Sequence, residues 1–181
     1  MSVAAGDEGL RDELVAGCEQ AYALLYDRCA ARLFKVAWAL TGNREEAEDA
    51  VQDVFTAMVQ TRETLRRVES LEAYLFASVH RAAIRRAVRS RSQRESAVGQ
   101  ELFQVSEKPV ESPYSDRLEC ALHALPLDQR EIVTLKVDAG LTFDQIASAL
   151  NLSANTAASR YRYALEKLRS ALKGQKEGGD V

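Results

Sequence analysis

Two clusters of side chains in this sequence have types and spacings that chemistry could use. Glu45, Glu46, Glu48, Asp49 and Asp53 crowd into one short stretch, and grouped carboxylates can hold a metal ion or divide acid and base roles. No histidine stands three or four residues further on, as a helical di-metal site needs, and acids near a helix start are favoured by its dipole alone. Set on the face opposite Val51, Val54 and Phe55, the row Asp49, Gln52 and Asp53 reads as a docking surface for a basic protein partner. Nucleophilic chemistry finds less support. His80 and His123 are the only histidines, no Ser, His and acid set is suggested, and there is no glycine loop for phosphate. The three cysteines, Cys18, Cys29 and Cys120, form no CxxC pair and read as small buried apolar residues. No enzyme, metal or cofactor is expected.

The second cluster is basic. Between Arg66 and Arg94 eight arginines (66, 67, 81, 85, 86, 89, 91 and 94) face only Glu69 and Glu72. The Arg81 to Arg94 run has no acidic partner nearby in sequence, so at helical pitch its charges repel unless an anionic ligand neutralises them, and nucleic acid is the economical candidate. A second basic group, Arg160, Arg162, Lys167, Arg169, Lys173 and Lys176, lies near the C-terminus. Between Asp7 and Glu63, by contrast, twelve acids outnumber six bases, and 95–127 is acidic again. The net charge of -3 therefore hides segments of opposite sign.

The elements that must position these clusters are helical. Three prolines and nine glycines among 181 residues leave long stretches of Ala, Leu, Glu, Arg and Gln unbroken. A short helix from Leu10 to Ala16 ends at Gly17. Tyr22, Leu25, Cys29, Leu33, Val36, Ala37 and Leu40 then recur at spacings of three and four, one face of a long helix that Thr41-Gly42-Asn43 stops. Ala47, Val51, Val54, Phe55 and Met58 define the next helix, 44–60. A third begins near Ser70 and runs to Arg89. Periodicity disappears over 90–115, where Ser, Gln, Gly, Glu, Pro109 and Pro113 accumulate, the composition of a flexible linker.

Beyond it, Leu118, Leu122 and Leu125 mark a short helix ended by Pro126. Ile132, Val133 and Leu135 belong to another that stops at Ala139-Gly140. Thr142 with Gln145 has the form of a capping box, and Ser153 is an N-cap opening a helix to Lys173. Two helices joined by a short turn, the second long and basic, fit a helix-turn-helix, in which the second helix enters the DNA major groove, or an ordinary helical hairpin whose basic face is only solvated. The inward face of the second helix holds Ala157, Tyr161, Ala164, Leu165 and Leu168. Its outward face presents Asn155, Ala158, Ser159, Arg162, Tyr163 and Glu166, with Ser153, Thr156 and Arg160 placed for phosphate. The fold class is all-α, as two small helical domains: 1–89, then the linker 90–115, then 116–173, with 174–181 as a flexible tail. No apolar run approaches the ~20 residues of a membrane span and the start lacks secretory-signal features, so a soluble cytoplasmic protein is expected.

These residues also carry a family resemblance. Leu25-Tyr26-Asp27-Arg28 through Phe34, and Leu40 to Phe55 (LTGNREEAEDAVQDVF), resemble region two of an extracytoplasmic-function (ECF) sigma factor of the sigma-70 family. Leu125 to Val133 with Gly140 to Ala147 is similar to the start of region four, and Asn155 to Arg169 to its recognition helix. The resemblance implies a protein that binds core RNA polymerase, directs it to promoters and assists promoter melting. It implies that Glu48, Asp49, Gln52 and Asp53 meet the clamp helices of the largest subunit, and that the polymerase flap is also contacted. Arg66, Arg67, Tyr74, His80, Arg81, Arg85, Arg86 and Arg89 would meet the -10 element, Tyr74 and Phe76 being the local aromatics for a single strand. Ser153, Asn155, Thr156, Ala158, Ser159, Arg160, Arg162 and Tyr163 would meet the -35 element, and the linker would thread toward the RNA exit path.

Four positions depart from the family pattern. Arg81 and Arg85 stand where Asn and then an acid or amide are usual, Ala158 where Lys or Arg is usual, and Asn151 where the turn usually has Gly, a place asparagine tolerates. An anti-sigma partner and a monomeric free state are further expectations, as is weak DNA binding until polymerase separates the domains. The rival readings are a helix-turn-helix regulator that binds operator DNA without polymerase, and a sigma-like protein that only sequesters a partner.

Overall fold

In the computed structural model, which describes residues 4–96 and 115–174, every regular element is a helix. The first is α1 (Ala4–Ala16), followed by α2 (Glu19–Thr41), α3 (Arg44–Gln60), a 3-10 turn (Arg62–Arg67) and α4 (Leu71–Ser96). The second unit comprises α5 (Asp116–His123), α6 (Leu127–Val137), α7 (Phe143–Leu150) and α8 (Ala154–Gly174). Residues 97–114, most of the expected linker, and 175–181, most of the expected tail, lie outside the described residues.

The helix stop read at Thr41-Gly42-Asn43 is physically present. Gly42 closes α2 in the left-handed region at φ 65°, and Asn43 at once caps α3, its side-chain oxygen accepting from the Glu46 amide at 3.0 Å. The helix expected to end at Arg89 instead continues through Ser96. Loss of an apolar stripe is not loss of helix propensity, and no Gly or Pro intervenes before Gly99. Pro126 does not terminate α5, which ends at His123, but serves as the N-cap of α6. Of the cysteines expected to be buried, only Cys29 is; Cys18 is half-buried and Cys120 exposed.

α2, α3 and α4 form a bundle around Leu25, Leu33, Val51, Met58, Leu75 and Phe76. This core does not stop at the boundary of the first unit. Ile132, Leu135, Ala139 and Leu141 from α6 and its following turn, with Ile146 of α7 and Ala157 of α8, belong to the same continuous cluster. The two domains thus pack on each other through a shared core. A smaller cluster of Ala121, Leu122, Leu125, Val133, Ala164 and Leu168 is confined to the second unit.

Arginines close the seam. Arg32 on α2 donates to the carbonyl of Asp138 at 3.2 Å and to that of Ala139, faces Glu72 at 3.3 Å, and lies 4.9 Å over the Phe76 ring. Arg130 on α6 donates to the carbonyls of His123 and Leu125 at 2.7 and 3.2 Å and reaches that of Ala39 at 3.4 Å. Trp38 adds an indole hydrogen bond to Glu119 at 3.0 Å. At Gly42 an added Cβ would meet the His123 ring at 3.1 Å, so glycine serves both the helix stop and the close approach of the second unit.

Two tests follow from the seam. Leu135→Ala should cost about 2–5 kcal/mol of stability by urea unfolding, because its side chain is wholly buried in the shared core. His123 sits with Nδ1 3.1 Å from Arg130 and Nε2 4.0 Å from Glu119. Burial, reinforced by Arg130 and opposed by Glu119, holds its pKa below the ordinary 6.5. The unfolded chain therefore takes up this proton first, so stability is full above about pH 6.5 and declines as pH falls below it. Melting curves between pH 7.5 and 5 should show that decline, with a shallower slope in His123→Gln.

Candidate nucleic-acid interface

α3 packs against both α2 and α4, and its exposed polar residues divide between the two borders. Glu48 and Gln52 line a groove against α2 of about 840 Å³, together with Tyr26, Phe34, Val51 and Phe55. Tyr26 is 48% exposed and packs edge-on against Phe55 with ring centroids 5.1 Å apart. Arg44 bridges to Glu48 at 2.5 Å. On the other border Asp49 and Asp53 face α4, where Arg86 reaches both, at 3.1 and 2.6 Å. Of the basic run expected to lack acidic partners, Arg86 thus has two, supplied from another helix that sequence adjacency does not reveal. The carboxylates hold the Arg86 guanidinium above its ordinary pKa, against the opposing effect of burial.

The aromatic side of the α2–α3 groove was not legible as a site from spacing alone. Its signal lies in an aromatic off the buried stripe: Tyr26 on α2 is exposed and lines the groove, although its helix buries another face.

The residues expected at the -10 element are partly assembled. Tyr74 stands half-buried in the first turns of α4 and shares a hollow of about 290 Å³ with Asp53, Ser78, Arg81 and Arg85. Arg81 donates to Ser78 Oγ at 3.1 Å, and Arg85 and Arg89 are exposed along the same helix. Arg66 and Arg67 project from the 3-10 turn, an element the apolar periodicity did not predict, and Arg66 pairs with Glu63 at 2.7 Å. Two expectations need correction. His80 is only 6% exposed and its Nε2 lies 3.5 Å from Glu131 of α6, so packing between the domains removes it from the basic surface. Phe76 is fully buried beneath Arg32, leaving Tyr74 as the accessible aromatic of the pair.

The helix-turn-helix is built by its caps. Thr142 accepts from the Gln145 amide at 3.2 Å while the Gln145 side chain accepts from the Thr142 amide at 2.9 Å, a reciprocal box that fixes the start of α7. Asn151 ends α7 at φ 54°, in the left-handed region that asparagine enters more readily than most residues. Ser153 Oγ then accepts from the Thr156 amide at 3.0 Å and opens α8. Ala157 and Ala164 are fully buried, so α8 seats closely on α7 and α6, while Phe143 meets Tyr161 edge-on at 5.7 Å. Outward, Asn155, Arg162 and Tyr163 are exposed, Ala158 and Ser159 partly so. The Arg162 guanidinium lies 5.8 Å from the Tyr163 ring centroid, and Arg160 turns toward Asp128 at 3.5 Å. Among the described residues no cluster of His, Cys, Asp and Glu could hold a metal ion, and no helix is long and apolar enough to cross a membrane.

A helical bundle with a basic helix, joined to a capped helix-turn-helix, is the architecture of a DNA-directed transcription factor. Residues 25–94 match Sigma-70 region 2 and residues 115–168 match Sigma-70, region 4. The chain belongs to the extracytoplasmic-function group of the sigma-70 family of RNA polymerase sigma factors. It is 31% identical over 153 residues to the ECF RNA polymerase sigma factor SigL of Mycobacterium tuberculosis, covering 82% of this chain and 86% of SigL. Its fold is similar to that of CnrH, solved in complex with the cytosolic domain of CnrY, with a TM-score of 0.70 at 21% identity over 91% of this chain and 96% of CnrH. It is also similar to the sigma factor RpoE of Bartonella quintana, solved with the anti-sigma factor NepR, with a TM-score of 0.68 at 24% identity over 84% of this chain and 96% of RpoE.

The cap on the recognition helix is directly testable. Ser153→Ala should lower stability by about 1 kcal/mol in thermal or urea unfolding, since the Thr156 amide loses its acceptor.

Proposed function

We propose that this chain binds core RNA polymerase through α3 and the groove beside it, and carries the enzyme to promoters read at two elements. The observation that carries the reading is the placement of an acidic, partly aromatic protein-docking face directly beside a basic helix, on a chain that also holds a capped helix-turn-helix. Glu48 and Gln52 border the groove, Asp49 and Asp53 the opposite edge of α3, and a basic clamp helix would find carboxylates along both edges of α3, beside the apolar lining of the groove. Tyr74, Arg81 and Arg85 suit the -10 element, where an unstacked base and phosphate are met by an aromatic ring and guanidinium groups. Asn155, Ser159 and Arg162 suit base edges of the -35 element in the major groove, with Ser153, Thr156 and Arg160 toward phosphate. The chain acts by binding, in the cytoplasm with the polymerase, and has no chemistry of its own.

Packing of the two domains supports a further part of this reading. With α6 and α7 seated on α2 and α4, the basic helix and the recognition helix are held at one fixed spacing, and reading two separated promoter elements requires the seam to open. Polymerase would supply that opening. An anti-sigma partner could act on the same exposed faces, the α2–α3 groove being open and apolar enough to take a partner helix.

Run-off transcription with bacterial core polymerase on a library of promoter fragments tests the assignment. Wild type should start at defined sites. Asp49→Arg/Asp53→Arg should lose core binding, with transcription falling more than about tenfold, as expected when charged partners at an interface are reversed. Arg162→Ala/Tyr163→Ala should keep core binding and lose upstream promoter selection. Absence of both core binding and start sites with wild type would overturn the reading.

A further inference from the structure

We propose that Arg86 exchanges partners when polymerase docks: in the free chain it neutralises Asp49 and Asp53, and a basic protein surface that takes those carboxylates releases it to promoter phosphate. This rests on the reading of α3 as the polymerase face and α4 as the promoter face. It adds that one side chain couples the two.

The geometry is suited to an exchange. Arg86 bridges two helices, donating through Nη1 to Asp49 Oδ2 at 3.1 Å and through Nη2 to Asp53 Oδ2 at 2.6 Å. The side chains of Asp49 and Asp53 are 55% and 63% exposed and that of Arg86 only 26%. An incoming cation can therefore reach the carboxylates from solvent before Arg86 leaves. Exposed pairs of this kind are weak, so a positioned guanidinium or ammonium group on a partner can compete for them. Asp53 also lines the hollow shared with Tyr74, Arg81 and Arg85, so its charge opposes phosphate at that place until it is neutralised from the other side. Seen from the DNA, the free protein carries an arginine cancelled by two acids. The polymerase-bound protein carries an arginine that is available, beside acids that are cancelled.

An exchange has a signature that a structural ion pair lacks, because removing Arg86 should move the two affinities in opposite directions. Core polymerase is titrated with fluorescently labelled full-length wild type, Arg86→Gln and Arg86→Lys, and each holoenzyme is then titrated onto a promoter fragment at several salt concentrations. Arg86→Gln should bind core about threefold more tightly, since the carboxylates no longer have an internal partner. Its holoenzyme should bind promoter more weakly, with the slope of log K against log salt reduced by about one phosphate contact. Arg86→Lys keeps the charge but not the fork, and should retain the salt slope with intermediate core affinity. Weaker core binding by Arg86→Gln, unchanged core binding, or an unchanged salt slope would each overturn the exchange. Should Arg86→Gln not fold, the Arg86→Lys titrations decide alone, and core affinity equal to or below wild type overturns the proposal. Failure of wild type to bind core would defeat the underlying reading as well, whereas normal wild-type binding with indifferent variants defeats only this one.

Discussion

A continuous apolar core across the seam between the two domains is the constraint on which the rest of this structure depends. Ile132, Leu135, Leu141 and Ile146 are buried partly because α2 and α4 cover them. Neither unit is large, and small units bury too little surface to be comfortably stable alone, so sharing a core adds stability that neither would have separately. The polar groups at the seam follow from this burial. The carbonyls of Asp138 and Ala139 lie at the end of α6, where intrahelical donors run out, and Arg32 supplies donors from the other domain. Arg130 performs the same service for the end of α5 and reaches the last turns of α2. Guanidinium groups suit this work because each offers several donors in a fixed plane and keeps its charge when partly buried.

The same constraint explains which parts of the molecule were legible in its sequence. Features set by local chemistry could be read directly: the Gly42 stop, the Thr142–Gln145 box and the Ser153 cap each involve residues within three or four positions of one another. Features set by contacts between distant segments could not. The family resemblance puts His80 among the promoter-facing residues, yet its position opposite Glu131 is decided by how the second domain lands on the first. Arg86 looked unpartnered because Asp49 and Asp53 lie more than thirty residues away. The length of α4 was underestimated for a different reason. Apolar periodicity reports the face a helix buries, and the far end of α4 buries too little to leave a pattern, though nothing in its composition breaks the helix.

Charge is organised across α3 and α4 at a finer scale than the net value of -3 suggests. Acids collect at the start of α3, where Glu45 and Glu46 complement the helix dipole. Further along, Asp49 and Asp53 are spaced by one turn, so they present one side of α3 to α4, while Glu48 and Gln52 present the next side to α2. A single helix with this spacing addresses two neighbours with different chemistry: an ion-pair edge toward α4 and a mixed apolar and acidic groove toward α2.

On the recognition helix, small residues do the corresponding work. Ala157 and Ala164 carry no side chain long enough to hold α8 away from α7 and α6, so the helix axis lies close to its support and its outer face is raised uniformly. Ser153 and Thr156 tie the first turn to the preceding loop. A rigid first turn matters for any reading of bases, because a side chain can discriminate between hydrogen-bond patterns only if its own backbone is fixed to within a fraction of an ångström. With Ala158 contributing no polar group, the outward hydrogen-bonding capacity of that face falls to Asn155, Ser159, Arg162, Tyr163 and Glu166. Of these, only Arg162 carries a planar multi-donor group able to pair two acceptors on one guanine. The fixed seat of α8 and the sparse polar content of its outer face therefore concentrate base discrimination in the proposed -35 contact on very few side chains.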